Sequence, residues 1–403
     1  MELFSGNGMY SLIFQRYMVF GILGIEALLV PMLLEAKFYG QFEYIRSLVF
    51  LSQFAYLGAC SGYITIYFKY DVDLLGDLQF IAACCGLIVF FAALLLSASI
   101  SIGVSCVAII IAFYLETIAK LNKNFLVAII YKPLFSFFIL IIAVALWNEE
   151  ISPENPDYIV AICSILSLIS YLLISNLAGV KRLTLPKINI DIRNVKRLIK
   201  EGFIINAATA LIMLNVFSDR SWIKIYYIDH LPDYSFAMNI SQFVILAITT
   251  FSLVNQVELG ESFKSRGLNG LLEELKKKLV FSAKVYVVLI CLYLPFLYIL
   301  SHFISFPHFT TFAIATGILF GLSQLLFSIN IALVYISKFH IAASLCLGAL
   351  LLNIAIDYLL SSFEFPPIWL LISSYVSFIL VGVIIITYLI KSNCQQPERE
   401  MPK

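Results

Sequence analysis

Ionisable side chains inside or beside long apolar runs include Arg16, Glu26, Arg46, Lys132, Asp219 and Arg220. A charge within hydrocarbon is costly, so each must face protein, a water-filled cavity or a partner. Cations so placed can receive an anionic headgroup, and acids can take up a proton or a metal cation. The chemistry on offer is therefore passage of a charged ligand or ion. Bond-making machinery is not apparent, because no nucleophile motif or nucleotide fingerprint accompanies these residues. None of the eight cysteines forms a CxxC pair, and His230, His302, His308 and His340 are scattered along the chain.

Each residue has a plain alternative. Arg16 lies just inside the first apolar run and either snorkels to the surface or lines a cavity. Glu26 follows ten residues later, ~15 Å along a helix, too far for a direct pair. It lies well inside its run with no basic residue nearby, which makes it a candidate proton carrier. Arg46 follows Glu43 by three residues, so a local ion pair competes with a binding role. Lys132 lies ~13 Å beyond Lys123 on a straight helix, near half the ~30 Å hydrocarbon thickness. Pro133 follows it and predicts a kink. Glu116 and Lys120 have the i,i+4 spacing of a structural pair. Asp219 and Arg220 precede Trp222, Lys224, Tyr226 and Tyr227, a mixture that equally suits a bilayer interface. Asn239, Gln242, Gln324, Asn330 and Asn353 are expected to hydrogen-bond between helices.

The elements that position these residues follow from composition. Of 403 residues, 61% are hydrophobic and 13% charged, and the mean hydropathy is +0.96. This excludes a soluble domain of that size. The net charge of +1 offers no general attraction to nucleic acid. About twelve runs approach the ~20 residues that cross a bilayer, predicting an all-α polytopic membrane protein. The first six fall near 11–34, 45–68, 78–98, 100–121, 125–147 and 158–179. The second six fall near 202–222, 235–257, 279–300, 309–337, 340–360 and 367–390. The first is read as a retained span, because no basic region precedes it. Residues 1–180 and 202–403 thus form two halves joined by a linker at 181–201.

Loop charge orients the chain. Lys181 to Glu201 carries seven basic and two acidic residues, and Glu258 to Lys284 six and four. Both belong in the cytoplasm, with both termini, while acidic Asn148 to Asp157 belongs outside. Lys69 to Asp77 is an acidic exception on the cytoplasmic side. Asp191 is placed to cap a helix whose apolar face holds Ile192, Val195, Leu198 and Ile199, opposite Arg193, Lys196, Arg197 and Lys200. That helix either lies along the anionic inner leaflet or serves as a solvated connector. Leu271, Leu272, Leu275 and Leu279 form a similar stripe. Ser52-Gln53-Phe54 and Ser241-Gln242-Phe243 match between the halves, a slender sign of duplication.

Two segments carry a family resemblance: FYGQFEYIRSLVFLSQFAYLGACSGYITIYFK and SDRSWIKIYYIDHLPDYSFAMNISQF. With about twelve spans and a basic central loop, the chain resembles the bacterial O-antigen and polysaccharide flippases of the multidrug/oligosaccharidyl-lipid/polysaccharide (MOP) exporter superfamily. The resemblance implies two six-helix bundles around a central cavity in the inner membrane. It implies undecaprenyl-pyrophosphate-linked repeat units as cargo, moved from the cytoplasmic to the periplasmic leaflet for lipopolysaccharide biosynthesis. Arg16, Arg46, Lys132 and Arg220 fit the cavity cations of such families. Glu26 and Asp219 are candidates for coupling to H+ or Na+, with no other cofactor. Membrane lipids, a polysaccharide polymerase and chain-length proteins would be partners. A glycan polymerase or ligase is the alternative from another class, expected to carry a longer outside loop than Asn148 to Asp157. A multidrug antiporter of the same superfamily is the other.

Overall fold

In the computed structural model every regular element among the described residues is helical. The structure describes residues 21–394 apart from 71, 98, 123, 150–154, 180–189, 305 and 326–338. Arg16, residues 181–189 of the linker and residues 326–337 of the 309–337 run, Asn330 among them, lie outside the described residues. The chain packs as two compact units, Met1–Met213 and Leu214–Lys403.

The first unit contains α1 (Gly21–Leu33), α2 (Ala36–Leu51), α3 (Ala59–Tyr70), α4 (Leu75–Ser97), α5 (Ile100–Leu121), α6 (Phe125–Ile129), α7 (Tyr131–Glu149) and α8 (Pro156–Leu177). Helix α9 (Ile192–Tyr226) begins here and ends in the second unit. The second unit adds α10 (Leu231–Leu300), α11 (Phe309–Leu325), α12 (Phe339–Ser362) and α13 (Ile368–Cys394). Among the described residues, six helices are long and apolar enough to cross a membrane, and three apolar helices are shorter. This is a multi-pass membrane protein. Helix α4 turns Leu87, Ile88, Phe91, Leu95 and Leu96 outward, a surface suited to acyl chains and unsuited to water.

Helix α5 is the axis of the first unit and packs against α4, α8 and α2. Among the larger side chains of its buried face are the small residues Gly103, Ser105, Cys106, Ala108, Ala112 and Ala119, which let neighbouring backbones approach. Ser99 starts it by accepting the Ile102 N–H and donating to Asp157 at 2.7 Å.

Two expected spans are interrupted. The 45–68 run divides at a 3-10 turn, Ser52–Tyr56, and at Leu57 and Gly58, both with positive φ. Ser52-Gln53-Phe54 therefore lies in a break, whereas Ser241-Gln242-Phe243 lies within α10. The matched tripeptides do not share a local structure. The 125–147 run breaks at Ile130, between α6 and α7. Pro133 explains this kink: it has no N–H for the Ile129 carbonyl, and its ring crowds that carbonyl. The break falls three residues upstream of the proline and two before Lys132.

The basic segment is helical as expected. Asp191 accepts the Arg193 N–H at 2.8 Å, and that bond holds its carboxyl below the usual range. The cap is complete at neutral pH and is lost only as pH falls through this lowered value. Asp77 accepts from the Asp191 N–H and the Asn194 amide, both at 3.3 Å. An acid at a helix N-terminus is favourable, which gives the acidic Lys69–Asp77 loop a local purpose.

In the second unit, the segment read as a loop at Glu258 to Lys284 is helix throughout except at Gly267, where φ is +63°. Arg266 ties the bend, donating to Glu273 at 2.9 Å and Ser262 at 2.8 Å. The leucine stripe is buried inside the unit: Leu271 and Leu275 pack with Leu259, Ala349, Val381 and Ile385, flanked by Leu272 and Leu279.

Candidate functional site

Of the ionisable residues singled out within apolar runs, those described fall at two places, one in each unit. In the first, α2 contributes Glu43, Arg46 and Phe50, spaced so that all three lie on one helical face. Helix α7 contributes Lys132, Phe135 and Ser136 at the same periodicity, and α1 contributes Glu26. Arg46 is the hub. Its Nη1 bonds Glu26 Oε1 and, at 2.9 Å, Glu43 Oε1, while Nη2 reaches Glu26 Oε2 at 3.3 Å. Ser136 Oγ donates to Glu26 Oε2 at 3.0 Å. Both carboxylates are buried, and the Arg46 side chain is 17% exposed. Only the planar five-donor fork of arginine can clamp two carboxylates in this way.

Aromatic rings extend the cluster. Arg46 lies over Phe135 and Lys132 over Phe50, each 5.7 Å from the ring centroid. Phe50 and Phe135 meet edge to face at 5.5 Å. Two cations are thus stacked on an aromatic pair, which holds positive charge without neutralising it. Arg46 with Glu26 and Glu43 carries a formal charge of minus one, and Lys132, which is exposed, returns the group to zero. Arg46 is therefore the i,i+3 partner of Glu43 that the spacing allows. The bond to Glu26, twenty residues away, had no local signal.

In the second unit, Asp219 and Arg220 are both buried, so neither serves merely as an interfacial anchor. The guanidinium of Arg220 lies over Tyr234, 5.7 Å from its centroid. Asp219 turns instead toward α12 and α13. Its Oδ1 accepts from Ser374 Oγ and, at 3.2 Å, from Asn353 Nδ2. The same amide donates to Asp357 Oδ2 at 3.1 Å. Ser373 Oγ sits 2.9 Å from both Asn353 Oδ1 and Asp357 Oδ1. Asp357 is as fully buried as Asp219. Asn353 is the interhelical hydrogen-bonding residue expected. Asp357 is the residue that sequence reasoning passed over, although an Asn and an Asp at i,i+4 within an apolar run was a readable sign.

Elsewhere Glu116 and Lys120 form their expected i,i+4 pair. The rings of His230 and His308, distant in sequence, meet at 5.0 Å, and Asp233 accepts the His308 N–H at 3.0 Å. Among the described residues there is no group of three or more His, Cys, Asp or Glu able to hold a metal ion.

No family model matches the sequence, and no curated protein matches it significantly. Its fold does have solved counterparts. An inward-facing multidrug resistance MATE family transporter of the MOP superfamily has a TM-score of 0.67 and 12% identity, covering 98% of this chain and 98% of that one. A MATE structure in the straight conformation gives a TM-score of 0.60 at 12% identity over 94% and 93% of the two chains. A MOP superfamily transporter from Pyrococcus furiosus, whose binding pocket is described as reversed in polarity and suggestive of a different function, gives 0.57 at 14% identity over 96% and 95%. At these identities the likeness is one of fold: this all-helical chain has the architecture of MATE-type transporters along nearly its whole length.

Proposed function

We propose that the protein is a flippase. It moves undecaprenyl-pyrophosphate-linked repeat units of an O-antigen or related polysaccharide from the cytoplasmic to the periplasmic leaflet of the bacterial inner membrane, by alternating access. The observation that carries this reading is the stacking of Arg46 and Lys132 on Phe50 and Phe135 within an apolar unit. A pyrophosphate cannot cross hydrocarbon unaided, and fixed cations give it a place to bind. The polyprenyl tail stays in lipid while one bundle rocks against the other. Arg16 and Arg220 join as further cavity cations.

Net movement needs a ligand or ion that binds the two states unequally. Glu26 supplies one such device. Ionised, it engages Arg46; protonated, it releases the guanidinium to a phosphate oxygen, so proton uptake and cargo binding favour each other. Neither a polymerase partner nor a chain-length protein is needed for this step, though both would act on its product.

The test is genetic. Deleting the gene in its native strain should abolish surface glycan and leave lipid-linked repeat units on the cytoplasmic leaflet. Single units accumulating in the periplasm would point to a polymerase, and normal glycan with raised drug susceptibility would point to a multidrug antiporter. Within the flippase, Lys132→Ala should cut surface polymer severely at unchanged membrane abundance, and Lys132→Arg should restore most of it. Full transport by both variants removes Lys132 from the mechanism.

A further inference from the structure

Two histidines far apart in sequence are brought together at one end of the second unit. His230 closes the 3-10 turn Ile228–His230 that joins α9 to α10, and His308 lies immediately before α11. Their rings meet at 5.0 Å between centroids, tilted by 57°. The backbone holds this contact as well as the rings do. Asp233, in the first turn of α10, is buried and accepts the His308 N–H at 3.0 Å, so the start of α11 cannot drift from the start of α10 without breaking that bond. Phe312, one turn beyond His308, stands against the His230 ring at 6.3 Å.

Two features mark the pair as more than packing. The first is that His230 Nδ1 is buried with no hydrogen-bond partner, which costs free energy unless a ligand relieves it. In the tautomer protonated at Nε2, that nitrogen carries a lone pair able to bind a metal. The second is the spacing. With metal–nitrogen bonds of about 2.0–2.1 Å and a tetrahedral angle between them, two imidazole centroids fall about 5 Å apart, which is the separation found. His308 is exposed, so an ion can reach the pair from solvent. Carboxylates supply the charge: Asp229 immediately precedes His230 and is exposed, and Asp233 lies in the field of both rings. Two acids beside two neutral imidazoles suit a divalent ion. Imidazole ligands select zinc, copper or nickel over magnesium and calcium, which take oxygen.

We infer that His230 and His308 form a binding site for one divalent transition-metal ion of the zinc class, with water completing its coordination shell. The chain gives two ligands where structural zinc sites have four, so the ion exchanges with solvent and the fold does not depend on it. When bound, it pins the turn between α9 and α10 to the start of α11. On the orientation set by loop charge, it arrives from the outer side. The site stands apart from the flippase reading, because neither histidine takes part in that mechanism.

Equilibrium dialysis of the purified full chain in detergent against Zn2+, with any affinity tag removed, tests this. One Zn2+ per chain should bind saturably, and a large excess of Mg2+ should not displace it. His230→Ala and His308→Ala should each abolish that binding. His308 is exposed, so its variant should melt like the wild type in the absence of metal. His302→Ala is the control, because that ring is exposed and packs on Tyr298 instead; it should bind zinc as the wild type does. Asp233→Asn keeps an acceptor for the His308 N–H but loses the charge, and should weaken binding roughly tenfold. A second readout needs only the wild type and one variant: saturating zinc should raise the melting temperature of the wild type, as a ligand held by the folded chain must, and leave that of His308→Ala unchanged. The inference is overturned if the wild type takes up no zinc, or if zinc raises the melting temperature of His308→Ala as much as that of the wild type. It is equally overturned if the double variant of His230 and His308 to Ala retains saturable binding, which would place the ion elsewhere, as at exposed Cys291.

Discussion

Arg46→Ala is expected to cost the first unit about 3–5 kcal/mol, because it strands two buried carboxylates that share one guanidinium. Glu26 and Glu43 are both buried, and Arg46 is bonded to each. Its removal leaves Glu26 with Ser136 as its hydrogen-bonding neighbour, which cannot balance an ionised carboxylate. The chain should reach the membrane in reduced amount and melt at lower temperature in detergent. Surface glycan should be lost. Arg46→Lys should recover part of the stability, since it keeps the charge but has no planar fork with which to bridge two carboxylates. The informative variant is the double substitution Glu26→Gln with Arg46→Ala. It removes one stranded charge together with the missing cation, so abundance and melting should rise toward wild type while transport stays absent. That separation of folding from transport is what a binding role for Arg46 requires. A melting temperature for Arg46→Ala equal to wild type would show that the triad is not held as drawn, and recovery of transport in the double variant would remove Arg46 and Glu26 from the transport cycle.

The apolar runs of α4, α5 and α8 could be read in the sequence because a long hydrophobic stretch between polar breaks has few other meanings. The interruptions could be read only in part. Pro133 announced the kink near Lys132, since a missing N–H acts on the carbonyl four residues before it. Leu57 and Gly58 gave no comparable notice, because an apolar run continues straight through their turn. Gly267 is a bend that window hydropathy assigns to a loop, although helix persists on both sides. Long-range pairing was the least legible. Glu26 meets Arg46 across twenty residues, and Asp219 meets Asn353 and Ser374 across 134 and 155. Such contacts depend on which helices become neighbours, and helical periodicity is silent on that. The local halves were visible all the same: Glu43 with Arg46 on one helix, and Asn353 with Asp357 on another.

Gly202→Ala should be nearly as damaging as the loss of Arg46, although it adds one methyl group and touches no charge. Helix α9 crosses the start of α3 at three glycines, within the first unit. A Cβ on Gly202 would lie 1.9 Å from the Gly58 carbonyl oxygen and 2.5 Å from the Gly62 nitrogen. A Cβ on Gly62 would lie 1.9 Å from the Leu198 carbonyl oxygen. The atoms in the way are backbone, which cannot step aside as a flexible side chain would. Overpacking of this kind costs about 1–3 kcal/mol, and more where nothing can give. The crossing also fixes α9 at its basic end, where Leu198 is buried and Asp77 meets the helix N-terminus. A displaced Gly202 would therefore shift the basic end of α9 against α3. Gly202→Ala and Gly62→Ala are each expected to lower membrane abundance and melting temperature. Gly179→Ala, where an added Cβ meets nothing within 4 Å, tests a positive φ without a close approach and should cost much less. If Gly202→Ala accumulates and melts like wild type, the two helices do not cross at this distance, and the basic segment is free to serve as a connector or lie on the leaflet.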